Sequence, residues 1–338
     1  MVSSSSCSRK GSGLGLQARR RIFQLGFFAL FLLAPALDWL RFDLHETQLW
    51  VLGQRWSLGL DAFQQGRATA ADTALALLLR GFLPALLLIG GFLAVAWRYG
   101  RLYCGWLCPH FSMVELLNGL LHRACGKHSL WDRHRSPSPG GSAPPQRRWW
   151  PLFALSCALL GFTWAITLLS YLLPPAEVWG GLLHGTLTPN QARFLAIAST
   201  VFTLEFAFAR HLFCRFGCAV GLFQSLAWMA NPRGMVVAFR REAARDCRTC
   251  DAPRGSACDN GCPMRLHPRD IKRMMFSCVQ CGQCLTHCET SQGAQQRQPL
   301  LQWAVGADAV RETLRQKKAE LAARQADPSR ADPSRGSR

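Results

Sequence analysis

The chain has 338 residues, 49% of them hydrophobic, with 39 Lys and Arg against 20 Asp and Glu for a formal charge of +19. Such a charge would ordinarily suggest nucleic acid, but the basic residues gather in particular loops and in the C-terminal third, while the apolar ones concentrate before about residue 230 in runs long enough to cross a bilayer. A nucleic-acid partner is set aside for a lipid bilayer, and fifteen cysteines that include a ferredoxin-like spacing argue against a secreted disulfide scaffold.

Residues 1–20 are rich in Ser, Gly and Arg and are expected to be disordered, with Cys7 an incidental thiol. The first membrane span is expected over 22–40, behind Arg19, Arg20 and Arg21. The run from Arg20 to Leu25 loosely resembles a twin-arginine export signal with Ala34-Pro35-Ala36 as a cleavage site, but the further spans favour a retained helix. Residues 41–72 carry nearly balanced charge and read as an outside connection. A second span follows at 73–97, with Arg80 snorkelling to the outer interface. The basic stretch 98–148 reads as inside, containing a short interfacial helix over 111–121 and a Pro- and Ser-rich linker over 136–145. The third span is 149–173, with Cys157 as a small buried residue; 174–190 lacks Lys and Arg and reads as outside; the fourth span is 192–209. Glu205 near its end is expected to pair with an arginine, the alternative being a proton or metal site. A second interfacial segment is expected at 219–230.

The expected fold is mainly α: a four-helix transmembrane bundle over 21–230 and a small cytoplasmic α+β domain like a two-cluster bacterial ferredoxin over 231–300. A charged helical or disordered tail over 301–338 ends in a repeated Ala-Asp-Pro-Ser-Arg. Four spans put both termini in the cytoplasm, the reducing side that free thiolates need. The location implied is a bacterial inner membrane.

Cys278, Cys281, Cys284 and Cys288 form a C-x2-C-x2-C-x3-C run, and Cys247, Cys250, Cys258 and Cys262-Pro263 repeat it with the middle spacing stretched. Three close thiolates wrap one cubane and the fourth reaches the other cluster in two-cluster ferredoxins. One [4Fe-4S] cluster is therefore assigned to Cys247, Cys250, Cys258 and Cys288, the other to Cys278, Cys281, Cys284 and Cys262. Paired structural zinc sites are the rival, although zinc takes paired knuckles with a long gap. Cys258 has the least regular spacing of the eight.

Two C-x3-C pairs follow the second and fourth spans, Cys104 with Cys108-Pro109 and Cys214 with Cys218-Ala219. Residues four apart share a helix face, so each pair can present two sulfurs to one ligand, although Pro109 suits a break between helices at Cys108. Soft thiolates here suit copper, zinc or a dithiol redox step; four small residues filling helix crossings is the plainer alternative.

These pieces resemble the membrane-bound polyferredoxins, in particular the CcoG/FixG/RdxA accessory proteins of haem-copper oxidase assembly, and also the NapH and NosR types. Beside the cysteines the likeness includes Arg41-Phe-Asp-Leu44, Val51-Leu-Gly53 and Phe223-Gln-Ser225. In the first branch the resemblance implies electrons for copper reduction or delivery with respiratory oxidase assembly factors as partners; in the others it implies transfer between quinol and a partner reductase. The chain departs from the pattern at the stretched Cys250–Cys258 spacing, at Glu289 and Ala219 in place of proline, and in a charged tail where the first branch has an immunoglobulin-like domain. The expected function is membrane electron transfer through two [4Fe-4S] clusters to a copper or redox site at Cys104, Cys108, Cys214 and Cys218. A quinol-coupled subunit and a non-catalytic assembly or sensor protein with structural clusters are the alternatives.

Overall fold

The computed structural model describes residues 15–132, 135, 145–250 and 255–326. Cys7, the repeated tail after Ala326 and the expected linker before Pro145 lie outside them. Helix α1 spans Leu16–Ala36. The end of the expected disordered tail is thus helical, because Gln17 and Arg20 find partners: Gln17 Nε2 donates to the Cys281 carbonyl at 3.2 Å, and the Arg20 guanidinium grips Glu115.

Residues 41–72 are more ordered than a plain connection. Strands β1 (Leu40–Asp43), β2 (Gln48–Val51) and β3 (Gln54–Trp56) form an antiparallel meander pairing Leu40 with Val51 and Leu49 with Trp56. Arg41 is buried between Asp38 and Asp43 with its guanidinium over the Trp50 ring. A short helix α2 (Leu60–Gln64) leads to α3 (Ala70–Ala76), capped by Thr69, which continues through a π-helical turn, Leu77–Phe82, into α4 (Leu83–Tyr99). Pro84 lacks the N–H for a regular i→i−4 bond, and a wider turn ahead of it absorbs the gap. Arg80 is exposed on that turn and donates to the Ser57 carbonyl at 3.4 Å.

Helices α5 (Leu102–Trp106) and α6 (Pro109–Cys125) come next, α6 starting at a proline and stopping at Gly126 in the left-handed conformation. The interfacial helix expected over 111–121 is instead buried on most of its faces, packed against α1 and α7 (Trp149–Ser170). Helix α8 (Pro175–His184) and α9 (Pro189–Leu204) follow, α9 opened by a capping box of Thr188 and Gln191. A Cβ on Gly161 of α7 would strike Thr203 and approach the Ser199 carbonyl to 3.0 Å, so glycine is what lets α7 and α9 touch. Two π turns, Glu205–Ala209 and Phe213–Gly217, lead to α10 (Ala219–Ala230), which lies along α4.

Among the described residues three helices are long and apolar enough to cross a membrane: Ala70–Tyr99, Trp149–Ser170 and Pro189–Ala209. None of the most apolar window of the first is buried in protein, as a lipid-facing span requires. Helix α1, the expected first span, does not reach that mark. Its opening turns carry three arginines, and Arg20 and Gln24 are buried against protein.

The C-terminal module pairs β4 (Val236–Phe239) antiparallel with β5 (Leu301–Ala304) and includes the short helix α11 (Ala257–Asn260) and α12 (Gln283–Gly293). Helix α13 (Ala307–Ala326) rests on the strands, with Glu312 accepting from the Phe239 N–H at 3.4 Å. The module therefore runs past the expected boundary at 300, since β4 needs β5 as its partner. It sits on the end of α4, where Met235 N donates to Arg98 O at 2.9 Å and Asn231 Nδ2 to Trp97 O at 2.9 Å. The meander lies at the far end, bonded to Tyr171 and Leu172.

Candidate redox centres

The eight module cysteines border two cavities. Cys262, Cys278, Cys281 and Cys284 line one, walled by Val237, Met264, Met275 and Trp303. Cys247, Cys250, Cys258 and Cys288 line the other. Cys258 borders this cavity despite its stretched spacing: Ser256 caps α11, and the Ala257 N–H donates to Cys250 Sγ at 3.3 Å. Helix α12 carries Cys284 to one cavity and Cys288 to the other, roughly 6 Å apart along its axis.

The donor set suits a cubane. Among the described residues no three His, Cys, Asp or Glu side chains converge as a single ion demands; each sulfur quartet surrounds a space instead. Tetrahedral zinc needs four sulfurs at about 2.3 Å from one point. N–H groups also aim at the sulfurs: Leu266 N at Cys262 (3.4 Å), Leu300 N at Cys288 (3.3 Å) and the Arg269 guanidinium at Cys247 (3.6 Å). Gln280 (φ 54°) and Gly282 (φ 70°) turn the 278–284 loop around its cavity. Burial pushes the Cys258 and Cys278 thiols up to about 12, so metal binding must supply the energy that ionises them.

The four cysteines of the C-x3-C pairs meet at the module end of the spans. Cys104 lies on α5 and Cys108 caps α6; Cys214 lies in a π turn and Cys218 caps α10, accepting from Gly221 N at 3.4 Å. Neither pair shares one helical face. The second cysteine of each is extended (ψ 116° and 108°), which Pro109 enforces at Cys108 and which the cap geometry sets at Cys218. Gln224 Nε2 donates to Cys104 at 3.3 Å, and Arg101 reaches across to the Cys214 carbonyl at 2.6 Å. Burial pushes the Cys108 thiol up to about 12, with the neighbouring Cys104 adding to it.

Glu205 pairs with a histidine rather than an arginine. His110 Nε2–H donates to Glu205 Oε2 at 2.9 Å, leaving Nδ1 to accept from the Cys214 thiol at 3.5 Å, and the ring stacks on Phe206. The Arg210 guanidinium turns to the Phe206 and Ala207 carbonyls. His110, Arg101 and Gln224 are site residues to which sequence reading gave no role, although His110 directly follows Cys108-Pro109, Arg101 stands three residues before Cys104 and Gln224 lies within Phe223-Gln-Ser225. Cys157 is buried beside Phe153, Trp164 and Phe206, away from these sulfurs.

One seam joins the module to this centre. A Cβ on Gly105 would collide with the Val279 carbonyl and stand 3.3 Å from Cys281 N, while Trp106 Nε1 donates to Gln280 O at 3.0 Å. Cys104, Cys214 and Cys281 belong to one continuous core, against which Cys108, Cys262 and Cys278 pack.

The 4Fe-4S binding domain family matches residues 82–128, a segment holding Cys104 and Cys108 but none of the eight module cysteines. The Escherichia coli (strain K12) protein named "Putative electron transport protein YccM" is 25% identical over 213 residues, 61% of this chain and 53% of that one. The match thus spans about half the length of that curated relative. No solved structure matches. The chain is thus similar over 82–128 to a 4Fe-4S binding domain and, over a longer stretch, to a protein named for electron transport, and it sets three apolar helices beside cysteine-lined cavities.

Proposed function

We propose that the chain is a membrane electron-transfer protein holding two [4Fe-4S] clusters, on the two cysteine quartets described above. It supplies electrons for copper reduction in the maturation of a respiratory oxidase. The observation that carries this reading is the Gly105 seam, which packs the Cys278–Cys281 loop directly on the helix bearing Cys104. When bound, the clusters supply one-electron transfer at potentials set by hydrogen bonds and burial. The chain's own residues do the rest. Leu266, Leu300 and Arg269 direct N–H groups at the ligand sulfurs, α12 holds the quartets in register, and the apolar core around Met264, Met275 and Val279 keeps water out. The copper ion is the substrate, met at the end of the path through Cys104, Cys108, Cys214 and Cys218.

Orientation belongs to the same proposal: the module and Arg98, Arg101, Arg123, Arg147 and Arg148 face the cytoplasm, and α1 serves as a fourth span with both termini inside. Its exposed Ile22, Phe23, Leu25, Leu30 and Leu33 fit lipid contact. A bacterial inner membrane is the site, with oxidase assembly factors as partners.

The test uses the full chain purified without oxygen. Reduced protein should convert Cu(II) to Cu(I), and a Cys104→Ser, Cys218→Ser variant that keeps its module clusters should lose most of that rate. An unchanged rate would sink the proposal. A second reading, a quinol-coupled subunit, draws on an amphipathic crevice between α1 and α6. Arg20, Gln24, Glu115 and Gln283 form its polar end, and Leu25 and Leu116 its apolar end. Reduction of the clusters by a quinol in place of copper chemistry would select it.

A further inference from the structure

The family match falls on the wrong cysteines for a two-cluster protein: residues 82–128 contain the first C-x3-C pair and no module ligand. We propose that Cys104, Cys108, Cys214 and Cys218 hold a third [4Fe-4S] cluster, shared between the two halves of the membrane part. The inference rests on the reading of this centre as the place where module electrons arrive, and it names what sits there: a relay ahead of the copper ion.

Four observations converge. The pairs come from equivalent breaks in the chain, and Cys104 of one and Cys214 of the other share one core against which Cys108 packs. Two of the sulfurs, one from each pair, accept from an N–H group as the module sulfurs do: Gln224 Nε2 donates to Cys104 at 3.3 Å and the Gly221 N–H to Cys218 at 3.4 Å. Like the module quartets, these four form no three-ligand ion site among the described residues, which disfavours a tetrahedral zinc ion. The last observation is charge. Arg101 is 1% exposed, its Nε has no hydrogen-bond partner, and no carboxylate among the described residues pairs with it. Its guanidinium fills the space that a side chain on Gly221 would occupy. A buried cation without a counter-charge is costly, whereas four thiolates and their cluster carry net negative charge against which Arg101 sits. Four neutral thiols would leave it unmatched.

Iron and acid-labile sulfide per chain decide the question in the full-length protein, purified without oxygen and held in nanodiscs. A Cys104→Ala, Cys218→Ala variant should lose one third of both while keeping the paramagnetic resonance signals of the two module clusters. The reciprocal variant, Cys250→Ala with Cys281→Ala, should keep one third of both, which reads the centre even where the module has collapsed. Iron and sulfide unchanged in the first variant, iron lost without sulfide, or neither retained by the second would each overturn the inference. Absent copper reduction with these tallies intact would sink the functional reading and leave the third cluster standing.

Discussion

Gly105→Ala tests whether the seam between α5 and the 278–281 loop is as tight as its geometry implies. Gly105 is helical, so alanine is a better backbone choice there by about 1 kcal/mol. The new Cβ, however, meets the Val279 carbonyl head-on, with the Val279 carbonyl carbon at 3.1 Å and Cys281 N at 3.3 Å. These are backbone atoms of a loop tied down by Gln17 and Trp106, so no side chain can swing aside. Overpacking of this kind costs about 1–3 kcal/mol, and any parting of the seam also stretches the Trp106–Gln280 bond, worth about 0.5–1.5 kcal/mol. The net weakening is about 1–3 kcal/mol, or roughly 5- to 150-fold in the docked population. Hydrogen exchange of the full chain in nanodiscs should show residues 279–284 opening faster, with α7 and α9 unchanged, and copper reduction should slow in parallel. Gly119→Ala is the contrast: nothing lies within 4 Å of its Cβ, so alanine there should be neutral or mildly stabilising. Unaltered exchange at 279–284 in Gly105→Ala would refute the wedge and with it the direct seating of the module on Cys104.

Further outcomes follow from single contacts. Trp106→Phe keeps the ring but drops the bond to Gln280 O, and should cost about 0.5–1.5 kcal/mol in thermal unfolding. Glu205→Ala leaves His110 Nε2 without its acceptor and should destabilise by about 1–3 kcal/mol, whereas Glu205→Gln should recover most of that loss. Desolvation pulls Lys272 down to about 8, although its ammonium donates to the Trp228 carbonyl at 2.9 Å and lies over the Trp228 ring. The folded state then binds fewer protons than the unfolded one above pH 8, so stability should rise from about pH 8 to 10.5 and level off beyond. Lys272→Met should flatten that rise in a denaturation series. Removing iron with a chelator should release exchange protection over 236–304 while the three apolar helices keep theirs, because both module cores are built around the cysteine quartets.

Much of this protein is readable in one dimension. Long apolar runs mark α4, α7 and α9 because a bilayer demands uninterrupted hydrophobic helices, and nothing distant is needed to recognise them. Cysteine spacing pairs Cys284 with one set and Cys288 with the other, and the two cavities contain those same quartets, because four residues along α12 carry a sulfur from one side of the module to the other. Even the break at Cys108 is a local matter of the proline that follows. Tertiary structure decided the rest. Glu205 and His110 stand 95 residues apart and meet only when α6 packs beside the end of α9. Arg20 looks like one more charge of a basic tail until Glu115 buries it. Strand β5, read from sequence as the start of the charged tail, shows its place only when β4 offers it a register. The module's contact with the membrane part turns on Gly105, whose lack of a side chain leaves no mark in hydropathy or charge. Sequence by itself determined which cysteines group into quartets and which segments are apolar enough to cross a membrane, since those are properties of side chains and short spacings. Which centre faces which was decided by packing alone, because steric fit between distant backbones has no local signature.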